Sequence, residues 1–145
     1  DVYKRQRQAN WKWTEESVQN SATEASAKLK ILVAEENQEA CSALEELLKV
    51  LGHSVMVTQD GEDALNMFHE TIPDLVFSGL TLPTRGGMEL LREVKSRSGK
   101  TLFVMICPMS DPEKIQQALK KGAADFLTRP IQLRELIRSL DGWSI

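Results

Sequence analysis

Residues 73–83 read Pro73-Asp-Leu-Val-Phe-Ser-Gly-Leu-Thr-Leu-Pro83. Leu75, Val76 and Phe77 form an uninterrupted apolar run bracketed by two prolines, the pattern of a short strand with neither face in water. Strands of that kind lie inside parallel sheets covered by helices on both sides. Open sheets of this type carry their chemistry at the carboxyl ends of their strands. Here that end is Ser78-Gly79-Leu80, and Gly79 contributes no side chain at all.

Working outward, the same alternation of short apolar runs and helical patterns repeats on both sides. Towards the amino terminus, Leu29 and Ile31–Ala34 predict a first strand. A helix over Gln38–Val50 follows, with Ala40, Leu44, Leu47, Leu48 and Leu51 on its apolar side. Gly52 stops it, as glycine commonly does just past a helix end. Ser54–Thr58 alternate as a second strand, Asp60-Gly61 read as a turn, and Glu62–Glu70 as a helix. Beyond the central stretch, Gly86-Gly87 read as a turn and Met88–Ser96 as a helix burying Met88, Leu91 and Val94. Leu102–Ile106 predict a fourth strand. Asp111-Pro112 has the form of an N-cap followed by proline at the first helical position, opening a helix over Pro112–Lys120 that Gly122 ends. Ala124–Thr128 and Leu133–Leu140 supply the last strand and helix. The prediction is an α/β domain, (βα) five times, folded as a doubly wound sheet of five parallel strands.

Composition narrows the functional classes. A chain of 145 residues and 16.3 kDa holds one domain, assigned to residues 28–145. Residues 1–27 lack a sustained hydrophobic period and read as a flexible linker, despite Trp11 and Trp13 among basic residues. Their opening, Asp1-Val-Tyr-Lys-Arg-Gln6, resembles adapter-derived translation, so the segment is a linker or an appended tail. The formal net charge of -3 argues against direct binding of nucleic acid. No apolar run reaches the roughly 20 residues of a membrane span. Cys41 and Cys107 lack metal or redox spacing and fit a reducing, cytoplasmic setting. His53 and His69 read as surface or helix-end residues.

Six motifs in order resemble the receiver domain of bacterial response regulators and hybrid sensor kinases. They are K-I-L-V-A-E-E-N at 30–37, G-H-S-V at 52–55, D-G-E-D-A-L at 60–65, P-D-L-V at 73–76, L-P-T-R-G-G-M-E-L-L at 82–91 and G-A-A-D-F-L-T-R-P-I at 122–131. The resemblance spans about residues 28–140. It implies a flavodoxin-like, CheY-like fold and a phosphotransfer chemistry. In that chemistry an acidic pair and an aspartate hold Mg²⁺, and the aspartate takes a phosphoryl group from a kinase histidine. A Thr or Ser and a Lys then bind its oxygens.

Carried over residue by residue, the resemblance fails at each chemical position. The acidic pair is Glu35-Glu36. The phosphoacceptor position is Gly79, which offers no nucleophile. The Thr/Ser switch position is Cys107 and its aromatic partner Phe126. The phosphate-contact position is Arg129, followed by Pro130 where the family often has a cis peptide bond. Ser78 is excluded as a substitute acceptor, because neighbouring strand residues face opposite ways. Arg129 is expected to pair with Glu35 or Glu36 in place of metal and phosphate. No metal or cofactor is expected; any Mg²⁺ would be held weakly, by Glu35 and Glu36.

The sequence therefore predicts a pseudo-receiver that is not an enzyme and serves as an interaction module in two-component signalling. The resemblance implies a histidine kinase or output domain of the same system as partner. It also implies a homodimer through the fourth helix, fifth strand and fifth helix, at Lys114, Gln117, Lys121, Asp125, Arg134 and Arg138. The alternatives are a phosphorylation-competent atypical receiver and, further off, a small flavodoxin-like ligand-binding protein.

Overall fold

A computed structural model of the chain describes residues 28–108 and 111–142. The expected linker at 1–27 lies outside the described residues. Five strands, β1 (Lys30–Ala34), β2 (Ser54–Thr58), β3 (Leu75–Gly79), β4 (Leu102–Cys107) and β5 (Asp125–Thr128), alternate with five helices. The helices are α1 (Gln38–Val50), α2 (Gly61–Thr71), α3 (Gly87–Arg97), α4 (Pro112–Lys120) and α5 (Leu133–Gly142). The strands form one sheet in the order β2-β1-β3-β4-β5, with every pair parallel. This is the doubly wound α/β architecture that the sequence predicts.

The two-residue period of a strand sorts the core into two layers. Ile31, Val33, Leu75, Phe77, Val104, Ile106 and Leu127 face α1 and α5, where they meet Cys41, Leu44, Leu48 and Leu136. Leu32, Ala34, Val76, Phe103, Met105, Cys107 and Phe126 face α2, α3 and α4. β3 is buried at all five residues, which is why its sequence reads as a continuous apolar run. β2, at the sheet edge, is nowhere fully buried.

Local signals place the helix ends. Asn37 Oδ1 accepts from Ala40 N–H at 2.8 Å and Asp60 Oδ2 from Asp63 N–H at 3.0 Å. Asp111 caps α4 through Lys114 N–H, with Pro112 at the first helical position. Gly52 and Gly122, at φ 96° and 112°, follow α1 and α4 in the left-handed conformation that glycine tolerates.

Three local expectations need correction. Asp60-Gly61 and Gly86-Gly87 are not turns: Asp60 and Gly86 are N-caps, and Gly61 and Gly87 are the first helical residues. Their glycines are required by close approach instead. A Cβ on Gly61 would enter the Arg85 carbonyl, and one on Gly87 would enter the Gly79 carbonyl and lie 2.9 Å from Met105 Sδ. In α3, Leu90 joins Leu91 and Val94 as fully buried, whereas Met88 is only half-buried. The apolar stripe runs through Gly87, Leu90, Leu91 and Val94, a cleaner helical period than one starting at Met88.

His53 is more than a helix-end residue. Its Nδ1 accepts the Leu29 N–H at 3.1 Å, tying the turn after α1 to the chain entering β1. Burial pushes its pKa below the usual value, and only the neutral ring can accept this bond. The unfolded chain binds a proton near pH 6.5 that the folded chain resists, so this contribution to stability is complete above about pH 6.5 and declines as pH falls towards the lower folded value. The melting temperature should therefore drop from pH 7.5 to 5.5, and His53→Gln should flatten that part of the profile; an unchanged slope in the variant would assign it elsewhere. Gly87→Ala should cost about 1–3 kcal/mol in urea unfolding through forced displacement of packed backbone. Gly99→Ala, where a Cβ would meet nothing within 4 Å, is its near-neutral control.

Candidate functional site

The carboxyl ends of β1, β3 and β5 bring three of the predicted positions together. Glu35 directly follows β1 and shares the parity of Ile31 and Val33, so its side chain belongs to the α1/α5 side of the sheet. It is fully buried, at 0% exposure. Gly79 ends β3 with the same parity. Arg129 follows β5, and its peptide bond to Pro130 is cis.

The Arg129 guanidinium lies on the Glu35 carboxylate. Nε donates to Oε1 at 3.0 Å, and Nη2 donates to Oε1 at 2.6 Å and to Oε2 at 2.9 Å. Oε2 also accepts the Asn37 N–H at 2.7 Å. Both carboxylate oxygens are thus held by charge-assisted or backbone donors, which is what a buried carboxylate requires. The ion pair joins residues 94 apart in sequence, and β3 and β4 lie between their strands.

Gly79 is what leaves the way open. A Cβ built there would lie 3.3 Å from Glu35 Oε2 and 3.4 Å from both Cδ and Oε1. Any longer side chain at 79 would project into the space that the Glu35 carboxylate fills. Ser78, by contrast, pairs in register with Ala34 and points to the other face. It is fully buried, and its Oγ donates to the Gly79 carbonyl at 3.0 Å.

The remaining positions divide. Glu36 is exposed and does not join the Glu35–Arg129 pair. Cys107 is fully buried in the α2–α4 layer with Phe126, which is 4% exposed. Burial, reinforced by Asp111 and opposed by Arg129, pushes the Cys107 thiol up to about 12. It therefore stays a thiol at neutral pH and is no nucleophile. Cys41 is likewise raised, by burial and then by Glu45 and Glu35.

Loop contacts that the sequence did not reveal hold the β3–α3 connection. Gly61 N–H donates to the Pro83 carbonyl at 2.9 Å and Glu62 N–H to Thr84 Oγ1 at 2.9 Å, so the loop caps α2. Arg85 Nε pairs with Glu62 Oε2 at 2.5 Å and its Nη1 with Glu89 at 3.6 Å. The only sequence signal was the charge pattern of Glu62, Arg85 and Glu89, which spacing alone does not interpret.

On the α4–β5–α5 side, Lys114, Gln117, Lys121 and Arg134 are exposed. Arg138 is instead largely buried, with a 13% exposed side chain 3.8 Å from Glu135 on its own helix. Asp125 is half-buried, and its Oδ1 accepts the Phe126 N–H at 2.8 Å. Glu113 on α4 is exposed as well, so the face shows charges of both signs.

Against known proteins, residues 31–141 match the response regulator receiver domain family. The chain belongs to that family, and its place is that of a non-enzymatic signalling domain. Among solved structures it is similar to a response regulator receiver domain protein from Clostridium thermocellum, with a TM-score of 0.73 and 24% identity over 78% of this chain and 91% of that one. It is similar to NtrX from Brucella abortus, with a TM-score of 0.76 and 26% identity over 80% of this chain and 26% of that longer one. The chemotaxis protein CheY4 of Vibrio cholerae also matches, with a TM-score of 0.73 and 24% identity over 80% of this chain and 98% of that one.

The Mg²⁺ implied by the family does not fit these residues. Gly79 supplies no side-chain oxygen, and both oxygens of Glu35 already accept hydrogen bonds. Among the described residues no group of three or more His, Cys, Asp or Glu is arranged to hold a metal, and no helix is long and apolar enough to cross a membrane.

Removing Arg129 would strand a buried carboxylate. Because the guanidinium is about one-third exposed, Arg129→Ala should cost about 2 kcal/mol rather than the 3–5 of a fully buried pair. The double variant Glu35→Gln/Arg129→Ala should recover a substantial part of that loss in urea unfolding. Strictly additive single and double variants would show the two groups to be uncoupled.

Proposed function

We propose that this chain is a receiver that no longer accepts phosphate, and that it works in two-component signalling as a protein-interaction module. The observation that carries this reading is the Glu35–Arg129 ion pair over Gly79. A receiver needs a carboxylate nucleophile at the end of β3 and a cation to neutralise the charge that develops during transfer. Here the nucleophile is missing, and the chain's own guanidinium neutralises the neighbouring carboxylate. The buried, protonated Cys107 supports the same reading, since it supplies neither an alternative nucleophile nor a strong hydrogen-bond donor.

With the chemistry gone, the module acts through its surface. The α4–β5–α5 face, with Lys114, Gln117, Lys121 and Arg134 exposed, serves as its docking surface for a histidine kinase, an output domain or a second receiver. The ion pair holds the β1 and β5 ends in one arrangement, so the docking surface is presented without a phosphoryl signal. A regulated receiver shifts between two populations when phosphate binds one of them better; a chain that binds no phosphate has no such lever.

Incubation with a small phosphodonor and Mg²⁺ followed by intact-mass measurement should show no gain. Gly79→Asp alone should also remain unmodified, because Glu35 and Arg129 fill the space above residue 79. A phosphoryl group on the unaltered chain would overturn the proposal; one on Gly79→Asp would show that the ion pair yields readily.

A further inference from the structure

β2 is an open sheet edge. Among the described residues it pairs only with β1, in an unbroken register from Lys30 opposite Ser54 to Ala34 opposite Thr58. Ser54 N–H donates to the Leu29 carbonyl and Glu35 N–H to the Thr58 carbonyl. In a parallel ladder this turns the backbone groups of Ser54, Met56 and Thr58 to β1 and those of Val55 and Val57 outward. The N–H and C=O groups of the two valines have no partner among the described residues. Such an edge is commonly blunted by a charge, a proline or a bulge. Ser54-Val-Met-Val-Thr58 has none of these. The opposite edge, β5, is shorter and opens on Asp125, whose carboxylate already accepts the Phe126 N–H at 2.8 Å.

The helices on the two faces of this edge are acidic. α1 packs on β1 and β2 from one side of the sheet and α2 from the other. Residues 28–71 hold nine Asp or Glu against Lys28, Lys30 and Lys49. Glu35, Glu45 and Glu62 are neutralised by Arg129, Lys49 and Arg85. Glu36, Glu39, Glu46, Asp63 and Glu70 are exposed and make no ion pair among the described residues. Glu36, Glu39, Asp63 and the α2 cap Asp60 share the carboxyl end of the β1–β2 ladder, whereas Lys28 and Lys30 stand at its amino end.

Two copies paired edge to edge through β2 would bring four acidic helices together, and like charges across an interface oppose association. An extended segment rich in Lys or Arg meets the opposite situation. Its main chain finds the outward groups of Val55 and Val57, and its cations find the carboxylates of α1 and α2. We propose that the β2 edge docks a basic extended segment of a partner protein as a sixth strand. In such additions main-chain hydrogen bonds supply the affinity and the neighbouring side chains the selectivity. The surface lies at the opposite edge of the sheet from α4–β5–α5, so the inference goes beyond the assignment of that face and does not rest on it.

Amide hydrogen exchange of the full chain, with and without an end-blocked peptide of alternating Lys and Val, tests it. In the free chain the Met56 and Thr58 amides, bonded to β1, should be protected while those of Val55 and Val57 exchange freely. Saturating peptide should slow Val55 and Val57 about tenfold or more, the mark of main-chain pairing. A Glu-Val peptide of the same length should bind at least about tenfold more weakly, because its charges meet like charges. Glu36→Gln/Glu39→Gln/Asp63→Asn should weaken binding of the Lys-Val peptide about threefold to tenfold, the scale of a few exposed charge pairs. Melting curves of the variant confirm that only surface charge was changed. Absence of peptide binding overturns the proposal. So does binding that leaves Val55 and Val57 exchanging, or that survives N-methylation of every peptide amide, since charge attraction alone would then hold the peptide. Protection of the two valines without peptide also overturns it: at low protein concentration the edge is already covered, and protection that appears only as concentration rises makes a second copy the occupant.

Discussion

A carboxylate with no exposure to water must be neutralised from within, and Glu35 at the end of β1 is neutralised by Arg129 at the end of β5. The site depends on that one constraint. Charge burial is tolerated only when the partner and the remaining hydrogen bonds are in place, and here Nε, Nη2 and the Asn37 amide provide them. The pair also reaches from the end of β1 past β3 and β4 to the end of β5, so it ties together two loops 94 residues apart in sequence.

This explains why the substitutions at the strand ends form a set. Gly79 without a side chain gives Glu35 its room. Arg129, longer than lysine and forked, reaches Glu35 and holds both of its oxygens, as a point charge could not. Cys107, less polar than a hydroxyl residue, sits wholly within the apolar α2–α4 layer beside Phe126. Together they leave a hydrogen-bonded strand end in which the buried Glu35 carboxylate is neutralised.

The fold was legible because its signals are local. The burial of β3 on both faces is written in Leu75–Phe77, and the cap at Asp111 is read by the Lys114 amide three residues on. The misread glycines show where local reading stops. Gly61 and Gly87 look like turn residues, yet what demands them is the backbone of Arg85 and Gly79, distant in sequence and adjacent only after folding. His53 was passed over for the same reason, since its partner is the Leu29 amide, 24 residues away.

By itself, then, the sequence determined the order of elements, the parallel sheet and a β3 end without a side chain at Gly79, because each of these follows from residue type and short-range period. Only the tertiary structure decided which carboxylate Arg129 takes, that Cys107 is buried away from Glu35, and that Arg138 folds back on its own helix. Glu35 and Glu36 are equivalent choices on paper. They differ because the two-residue period of β1 turns Glu35 inward, over the space left by Gly79, and sends Glu36 out to water.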